Sequence, residues 1–395
     1  MACDYNKTNV RMVYTSSEEL ASVELYKCYP DTLLTITFAC HLVFMLIGIP
    51  GNLTTIIALA FCRKVRNATA IFIINLHISD LIFGSMILPM TAVTFWTKQW
   101  THGWIMCRVY AYCKLILIAV SIFTILAITI NRYIIVCHPL SIYKRRNITI
   151  ILIIIWILSS TLFLPSFFGV WGRFDLEPNL GFCTTLDDEN GKSPKKFFAS
   201  TAFVAPTLII AICYARILWV VRKTKRILQG QGPKSMGPTH LPLTRTQSDT
   251  STDGRTLISI DPASLTNSRT SDDLTPPSSA TATPLGHKTF DNYFKATLRL
   301  TRKEKRPKSP TSRDKRLFAM IVAIIVSYTL THLPLMVTRL IYKEYNSDPY
   351  ANELAHLFGC LRTCMNPIIY VLISNEYRYA YRSLLENIMK KFRKQ

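Results

Sequence analysis

Several ionisable side chains stand inside stretches of the sequence that are otherwise mostly apolar. Among them are Asp80, Lys114, Arg132 and Arg362. In a membrane such groups are costly, and they usually face the interior of a helix bundle or a water-filled cavity. They are also the groups most often used for function at that depth. We therefore expect the function of this chain to depend on polar groups buried between helices.

The sequence lacks the groups that a membrane-embedded enzyme or a light-driven pump needs. No zinc-type HExxH pattern stands out, and no nucleophile stands beside a base. A retinal protein needs a lysine in its seventh span, and residues 350–373 contain none. A transporter usually has inverted repeats, and the two halves of the chain show no similarity. We therefore expect neither an enzyme nor a cofactor, and a polytopic transporter is the weaker alternative.

Seven apolar stretches are long enough to position these groups across a membrane. A bilayer core of about 30 Å requires about 20 apolar residues in each helix. Hydrophobic residues make up 49% of the 395, as is typical of a membrane protein. The composition and the stretches predict an all-α fold, a bundle of seven transmembrane helices. The stretches lie near residues 33–61, 69–96, 104–137, 148–170, 196–221, 316–341 and 350–373.

The net charge of +22 is concentrated in alternate connections between the apolar stretches. Most acidic residues lie in the other set of connections. The positive-inside rule therefore predicts a multi-pass plasma-membrane protein with an extracellular N-terminus and a cytoplasmic C-terminus. This distribution also argues against nucleic acid as a partner. The basic clusters are residues 63–66, 144–146, 222–226, 299–316 and 390–394.

One connection is much longer than the others, and it is rich in Ser, Thr, Pro and Gly. Without apolar periodicity, it is predicted to be a disordered cytoplasmic loop. Beyond the seventh stretch, apolar residues recur at helical spacing among basic ones, which predicts a short amphipathic cytoplasmic helix. The predicted regions are an extracellular segment (1–32), spans one to five (33–226), the third cytoplasmic loop (227–312), spans six and seven (313–373), and the amphipathic helix with the tail (374–395).

Four cysteines fall on the oxidising side of this topology. Four cysteines allow three pairings. We favour a bridge between Cys107 and Cys183, which leaves Cys3 and Cys28 as a candidate second bridge. Asn6 begins an Asn-x-Thr pattern on the outer segment and is a candidate glycosylation site.

The order of special residues along the spans resembles the rhodopsin-like (class A) G-protein-coupled receptors across the whole bundle. The stretches KVRNATAIFIINL, ITINRYIIVCHP, WGRFDLEPN and NGKSPKKF are more closely similar to the Moody and Trapped-in-endoderm receptors of insects. The resemblance implies a receptor that activates a heterotrimeric G protein, with arrestin and receptor kinases acting on the third loop. It also implies a role in cell migration or in a glial barrier. The residues that carry it are Gly51, Asn52, Asp80, Cys107, Arg132, Trp156, Pro206, Tyr214, Pro334 and Asn366–Tyr370.

The resemblance assigns Arg132 to the cytoplasmic end of the third span, where it is freed to meet the G protein on activation. The usual acidic neighbour is replaced by Asn131, so an ion pair within the helix is missing. Asp314, at the foot of the sixth span, is a candidate restraint. The alternative is that Arg132 only extends to the membrane interface. The other expected coupling and activation residues are Tyr133, Tyr214, Asn366, Pro367 and Tyr370.

The sixth span departs from the family pattern. The family generally has Cys-Trp-x-Pro, whereas this chain has Thr331, His332, Leu333 and Pro334. Pro334 is still expected to kink the helix. The family's tryptophan, which acts as an activation trigger, is thus replaced by His332, whose imidazole is able to titrate.

The resemblance matches Asp80 to the family's sodium-binding aspartate. Asn52, Ser121 and Asn366 complete the expected polar core. Arg362 stands where many relatives have Asn or Ser, and its guanidinium is expected to displace sodium by pairing with Asp80. The alternative is that Arg362 turns toward another polar group. We expect no metal ion at Asp80 or at any other site.

The expected ligand site is basic. Lys114 stands where amine receptors have an aspartate, which argues against an amine ligand because like charges would meet. Tyr110, Arg339 and His356 are expected near the same mouth. An anionic amphiphile, such as a lipid phosphate or carboxylate, fits these groups. A peptide ligand stays open, as does an outward-facing Lys114 without ligand contact.

Overall fold

The computed structural model describes residues 14–27, 29–62, 68–137, 145–188, 191–230, 312–341 and 348–393. By its contacts the chain divides into two units, residues 1–225 with 310–395, and residues 226–309. Only the last turn of one helix, residues 226–230, is described in the second unit. The first unit holds the seven spans.

Seven of the described helices are long and apolar enough to cross a membrane, which confirms the expected bundle. In lipid the backbone must satisfy its own hydrogen bonds, so long apolar runs become helices. The first to seventh spans are Asp31–Phe61, Thr69–Thr97, Trp104–Cys137, Arg146–Phe167, Ala205–Lys223, Ala319–Thr338 and Pro349–Ile373.

Several of these spans belong to longer helices. The fifth continues to Gly230, past residue 227, where the third loop is predicted to begin. Two spans contain or follow a π-helical turn, in which the helix widens locally. In chain order the helices are α1 (Ser17–Ser22), α2 (Asp31–Phe61), α3 (Ala68–Ile82), a π turn (Phe83–Ile87), α4 (Leu88–Thr97), α5 (Trp104–Cys137), α6 (Arg145–Phe167), α7 (Lys195–Ala199), a π turn (Ser200–Val204), α8 (Ala205–Gly230), α9 (Ser312–Ile341), α10 (Pro349–Ile373) and α11 (Asn375–Phe392).

A β-hairpin between the fourth and fifth spans is the one addition to the expected all-α fold within the described ranges. Strand β1 (Arg173–Glu177) pairs antiparallel with β2 (Phe182–Leu186). A disulfide joins Cys183 of β2 to Cys107 at the start of the third span, with the two Cα atoms 5.3 Å apart. The favoured bridge is therefore present. Cys3 and Cys28 lie outside the described residues. We call the end of the bundle that carries the Cys107–Cys183 bridge the disulfide end.

The first and seventh spans pack with their backbones close together. A Cβ atom added at Gly48 would lie 2.9 Å from Cγ2 of Thr363, and one at Gly51 would lie 3.1 Å from Cβ of Pro367. Small residues allow such an approach between helices in lipid. The close contact places polar groups of the two spans within hydrogen-bonding distance.

Helix α11 follows the seventh span and confirms the expected C-terminal helix. Tyr377 and Ala380 are buried, whereas Leu385 and Met389 are exposed. The Tyr381 hydroxyl lies 2.5 Å from Oγ1 of Thr55 in the first span. The buried side of α11 therefore belongs to the apolar core at the end of the bundle opposite the disulfide. We call this end the Arg132 end.

Candidate functional site

The centre of the bundle holds a charged pair. Asp80 of the second span is fully buried, and Arg362 of the seventh is 4% exposed. Nη1 of Arg362 donates to Oδ1 of Asp80 at 2.9 Å and to Oγ of Ser121 at 2.8 Å. Nδ2 of Asn366 donates to the other carboxylate oxygen at 2.6 Å. Both oxygens of Asp80 therefore already accept hydrogen bonds from the seventh span.

Helical spacing and aromatic packing hold Arg362 in this position. Arg362 and Asn366 are four residues apart, so they lie on the same face of α10. The Arg362 guanidinium carbon lies 4.6 Å from the centre of the Phe83 ring, which belongs to the π turn of the second span. In the described part of the chain, Nε and Nη2 of Arg362 have no hydrogen-bond partner. Arg362 is therefore held in place by few contacts. The one with a charged group is its hydrogen bond to the Asp80 carboxylate.

A second polar cluster links the first, second and seventh spans. Nδ2 of Asn52 donates to the Gly48 carbonyl at 2.8 Å and to the Thr363 carbonyl at 2.9 Å. Nδ1 of His77 lies 2.6 Å from Oδ1 of Asn52. The His77 ring also packs on Tyr370, with the ring centres 5.0 Å apart. Sequence reasoning overlooked His77, although it stands three residues before Asp80 in an apolar span.

At the Arg132 end, Nη2 of Arg132 donates to Oγ1 of Thr69 at 2.7 Å. Asn131 is fully buried, and its amide has no hydrogen-bond partner among the residues the structure describes. Asp314 lies in α9, but its side chain is outside the described residues, and the expected restraint on Arg132 stays a prediction. Tyr133 is half-buried.

Tyr214 and Tyr370, which are expected coupling residues, both belong to one apolar cluster at this end. Tyr214 and Tyr370 are 8% and 0% exposed. Tyr370 packs against Tyr377 of α11, with ring centres 5.1 Å apart. Pro367, also expected in this set, is buried one turn before Tyr370. These contacts pack the base of the seventh span against the C-terminal helix.

In the sixth span, His332 occupies the position of the expected trigger. Its ring is 1% exposed and lies 4.2 Å from the Tyr328 ring and 6.4 Å from the Phe203 ring, measured between centres. Neither ring nitrogen has a hydrogen-bond partner within the described ranges. His332 is therefore packed as an aromatic ring two residues before Pro334.

Three of the four expected ligand-site residues meet around Phe182, which neighbours the disulfide. Nζ of Lys114 lies 3.6 Å from the centre of the Phe182 ring and 3.4 Å from the Tyr110 hydroxyl. Phe182 also stacks on His356, with ring centres 5.0 Å apart. An ammonium over an aromatic face is stabilised by the ring quadrupole. The side chain of Arg339 lies outside the described residues.

The segment before the first span covers this site. The Tyr26 amide donates to the Pro178 carbonyl of the hairpin at 3.1 Å, and the Tyr26 ring stacks on Phe95 at 5.0 Å between centres. Burial raises the pKa of the Tyr26 hydroxyl well above its usual value, because a phenolate there would be desolvated. Nothing in the polar composition of residues 1–32 indicated that its end would be buried.

A seven-helix bundle with a buried acid at its centre, an arginine at one end and a loop disulfide at the other defines a seven-transmembrane receptor. Residues 51–370 match the family described as 7 transmembrane receptor (rhodopsin family). The chain therefore belongs to the rhodopsin-like family of G-protein-coupled receptors, which are membrane signalling receptors and not enzymes.

Two insect relatives confirm the closer resemblance. The chain is 33% identical over 362 residues to the G-protein coupled receptor moody of Drosophila melanogaster, covering 90% of this chain and 52% of that protein. It is 30% identical over 369 residues to the protein trapped in endoderm-1 of the same fly, covering 92% and 80%. The chain thus spans about half the length of the moody receptors it matches.

The fold also matches that of a solved receptor. The crystal structure of squid rhodopsin superposes with a TM-score of 0.63 at 19% identity, covering 91% of this chain and 87% of the other. At this identity the likeness concerns the fold, and it supports the arrangement of the seven spans.

Proposed function

We propose that this chain is a plasma-membrane receptor whose N-terminus is extracellular and whose C-terminus is cytoplasmic. It converts binding of a ligand at the disulfide end into activation of a heterotrimeric G protein at the Arg132 end. Arg132 carries this proposal, because it stands at the opposite end of the third span from Cys107. At about 1.5 Å per residue, that helix separates the two residues by roughly 37 Å.

The contact of Arg132 with Thr69 supports a switch at this end. This hydrogen bond runs from the charged guanidinium to an uncharged hydroxyl, and it is weaker than a bidentate ion pair with a carboxylate. An outward movement of the sixth span would expose Arg132 to the G protein, with Tyr214 and Tyr370 supporting its new position. Arg222, Lys223 and α11 complete the proposed docking face.

Replacement of Arg132 tests the coupling role. Arg132→Ala should abolish G-protein signalling in cells and leave the amount of receptor at the surface largely intact, since Arg132 is only partly buried and lies within the last two turns of its span. Arg146→Ala, which removes an exposed base near the same end, is the matched control and should retain signalling. Full signalling by Arg132→Ala at equal surface level would contradict the assignment.

For the ligand, we propose an anionic amphiphile derived from the membrane or from outside the cell. Lys114 supports this, because it is a cation held among aromatic rings and so suits an acidic head with an apolar tail. The segment around Tyr26 covers the site from outside. This favours a small ligand that enters between the spans and disfavours a large peptide. Arrestin and receptor kinases, acting on the third loop, and a role in cell migration or in a glial barrier belong to this proposal through the resemblance alone.

A panel of purified lipids tests the ligand class. Lysolipids with a phosphate or carboxylate head should accelerate nucleotide exchange, whereas neutral lipids of equal chain length should not. Lys114→Gln should reduce the response to the acidic lipids and leave ligand-independent exchange unchanged. A response to a peptide fraction, with none to any acidic lipid, would contradict the proposal.

A further inference from the structure

A cluster of three metal-ligating side chains lies between the first and seventh spans, toward the disulfide end. His41 is 0% exposed, His356 is 5% and Cys360 is 3%. Nε2 of His41 lies 3.2 Å from Nε2 of His356. Sγ of Cys360 lies 3.6 Å from Nε2 of His356 and 3.8 Å from Nε2 of His41. The three potential donor atoms thus form one compact triangle.

The sides of this triangle match those of a tetrahedral zinc site. Zinc–nitrogen bonds of about 2.0–2.1 Å and zinc–sulfur bonds of about 2.3 Å imply nitrogen–nitrogen separations near ~3.3 Å and nitrogen–sulfur separations near ~3.6 Å. The observed 3.2, 3.6 and 3.8 Å differ from these by about 0.2 Å or less. A zinc ion would therefore fit with little movement of the ligands.

The surroundings prepare His41 to bind through Nε2. Its Nδ1 lies 2.8 Å from the carbonyl oxygen of Thr37, which is itself fully buried. A carbonyl only accepts, so Nδ1 carries the proton and Nε2 directs its lone pair into the cluster. A carbonyl on the far nitrogen is the usual support of a metal-binding histidine.

The seventh span presents the other two ligands together. His356 and Cys360 are four residues apart in α10, so they lie on one face of the helix, turned toward the first span. A cysteine thiolate would bring a negative charge to offset part of the charge of the ion. The Lys114 ammonium, which interacts electrostatically with both His41 and Cys360, opposes a cation here, and the thiolate reduces that repulsion.

We propose that His41, His356 and Cys360 bind one Zn²⁺ ion, which ties the first span to the seventh. Three protein ligands leave the fourth tetrahedral position for water or for a donor atom of a ligand. This assigns to His356 a role that differs from the direct ligand contact expected from the sequence. Binding to the folded state alone would stabilise the bundle, by an amount that grows with zinc concentration.

Cobalt substitution tests the site on the full-length purified receptor, without ligand or G protein. After the receptor is stripped with a chelator, Co²⁺ should bind with one equivalent, show the visible bands of tetrahedral cobalt, and show a thiolate-to-cobalt charge-transfer band. One equivalent of Zn²⁺ should displace it and raise the unfolding temperature. Signalling plays no part in this measurement, so its failure leaves the receptor function untouched.

Two serine variants separate the cluster from the other thiols. Cys360→Ser nearly preserves the size of the side chain and should lose the charge-transfer band. Cys364→Ser, one turn along the same helix, is the matched control and should keep it, because Sγ of Cys364 faces the Phe44 carbonyl at 3.4 Å. His41→Gln should weaken binding at least tenfold.

Without an ion, the same triangle is explained by a hydrogen bond from His356 to His41 with the thiol beside it. Absence of the charge-transfer band in the unmodified receptor, or an identical band in Cys360→Ser, would identify this hydrogen-bonded cluster and overturn the proposal.

Discussion

Separating Asp80 from Arg362 should destabilise the receptor more than the loss of any surface pair. The two side chains are 0% and 4% exposed and lie 2.9 Å apart. Removing one partner of a buried pair leaves the other charge uncompensated, which typically costs about 3–5 kcal/mol. Since whole domains are stable by about 5–15 kcal/mol, Asp80→Asn should lower the amount of folded receptor at the surface several-fold.

The double variant provides the decisive comparison. Asp80→Asn combined with Arg362→Asn removes both charges, so it should recover part of the loss seen in the single variant. Asp31→Asn is the matched control, because Asp31 pairs with Lys98 at 2.5 Å while its side chain is 79% exposed. An exposed pair is screened by water, and its loss should change little. Surface level and unfolding temperature are the measurements. Strictly additive losses in the double variant would refute the pairing argument.

The same geometry predicts indifference to sodium. The resemblance implies that relatives hold sodium at this aspartate, but both oxygens of Asp80 here accept hydrogen bonds from Arg362 and Asn366. Unfolding temperature and ligand-independent exchange should be equal in sodium, potassium and choline chloride at the same ionic strength. A rise in unfolding temperature or a fall in exchange that only sodium produces would show that a cation still binds.

Two further predictions concern the third and the first spans. Asn131→Asp restores the missing acid beside Arg132, so it should lower ligand-independent exchange by favouring the inactive population; an unchanged or higher rate would count against the argument. Gly48→Val should lower the unfolding temperature, because a Cβ there would lie 2.9 Å from Cγ2 of Thr363. Leu46→Val, at an exposed neighbour, is its control, and equal effects in both variants would disprove a close contact between the spans.

The sequence predicted those features that follow from hydropathy or from aligned motifs. The spans were evident because lipid forces apolar runs into helices. The contact of Arg362 with Asp80 was one of two alternatives, raised because Arg362 departs from the family pattern beside a matching aspartate, and the structure shows that contact. The cluster at His41 was not evident, because His41 and His356 are 315 residues apart. Their contact depends on how two spans are rotated, and helices that are apolar on most faces give little indication of rotation.

The hairpin and the cover over the ligand site were missed for a different reason. The hairpin strands β1 and β2 are joined by a turn that contains Pro178 and Gly181, which are typical turn residues. Two strands of five residues in a long connection give only a weak pattern, because such a hairpin depends on packing against the bundle. Tyr26 stands in a polar segment, and its burial arises from contacts with Phe95 and the hairpin that local sequence does not encode.

The central claim is that this chain activates a heterotrimeric G protein, and nucleotide exchange by the purified receptor tests it most directly. The receptor in lipid nanodiscs would be mixed with each class of purified G protein, and GTP-analogue binding would be followed over time. At least one class should exchange faster than with empty nanodiscs, even without ligand, because Asn131 stands in place of the acidic neighbour that favours the inactive state in relatives. No acceleration of any class by a folded, monodisperse receptor, with or without acidic lipids, would contradict the account.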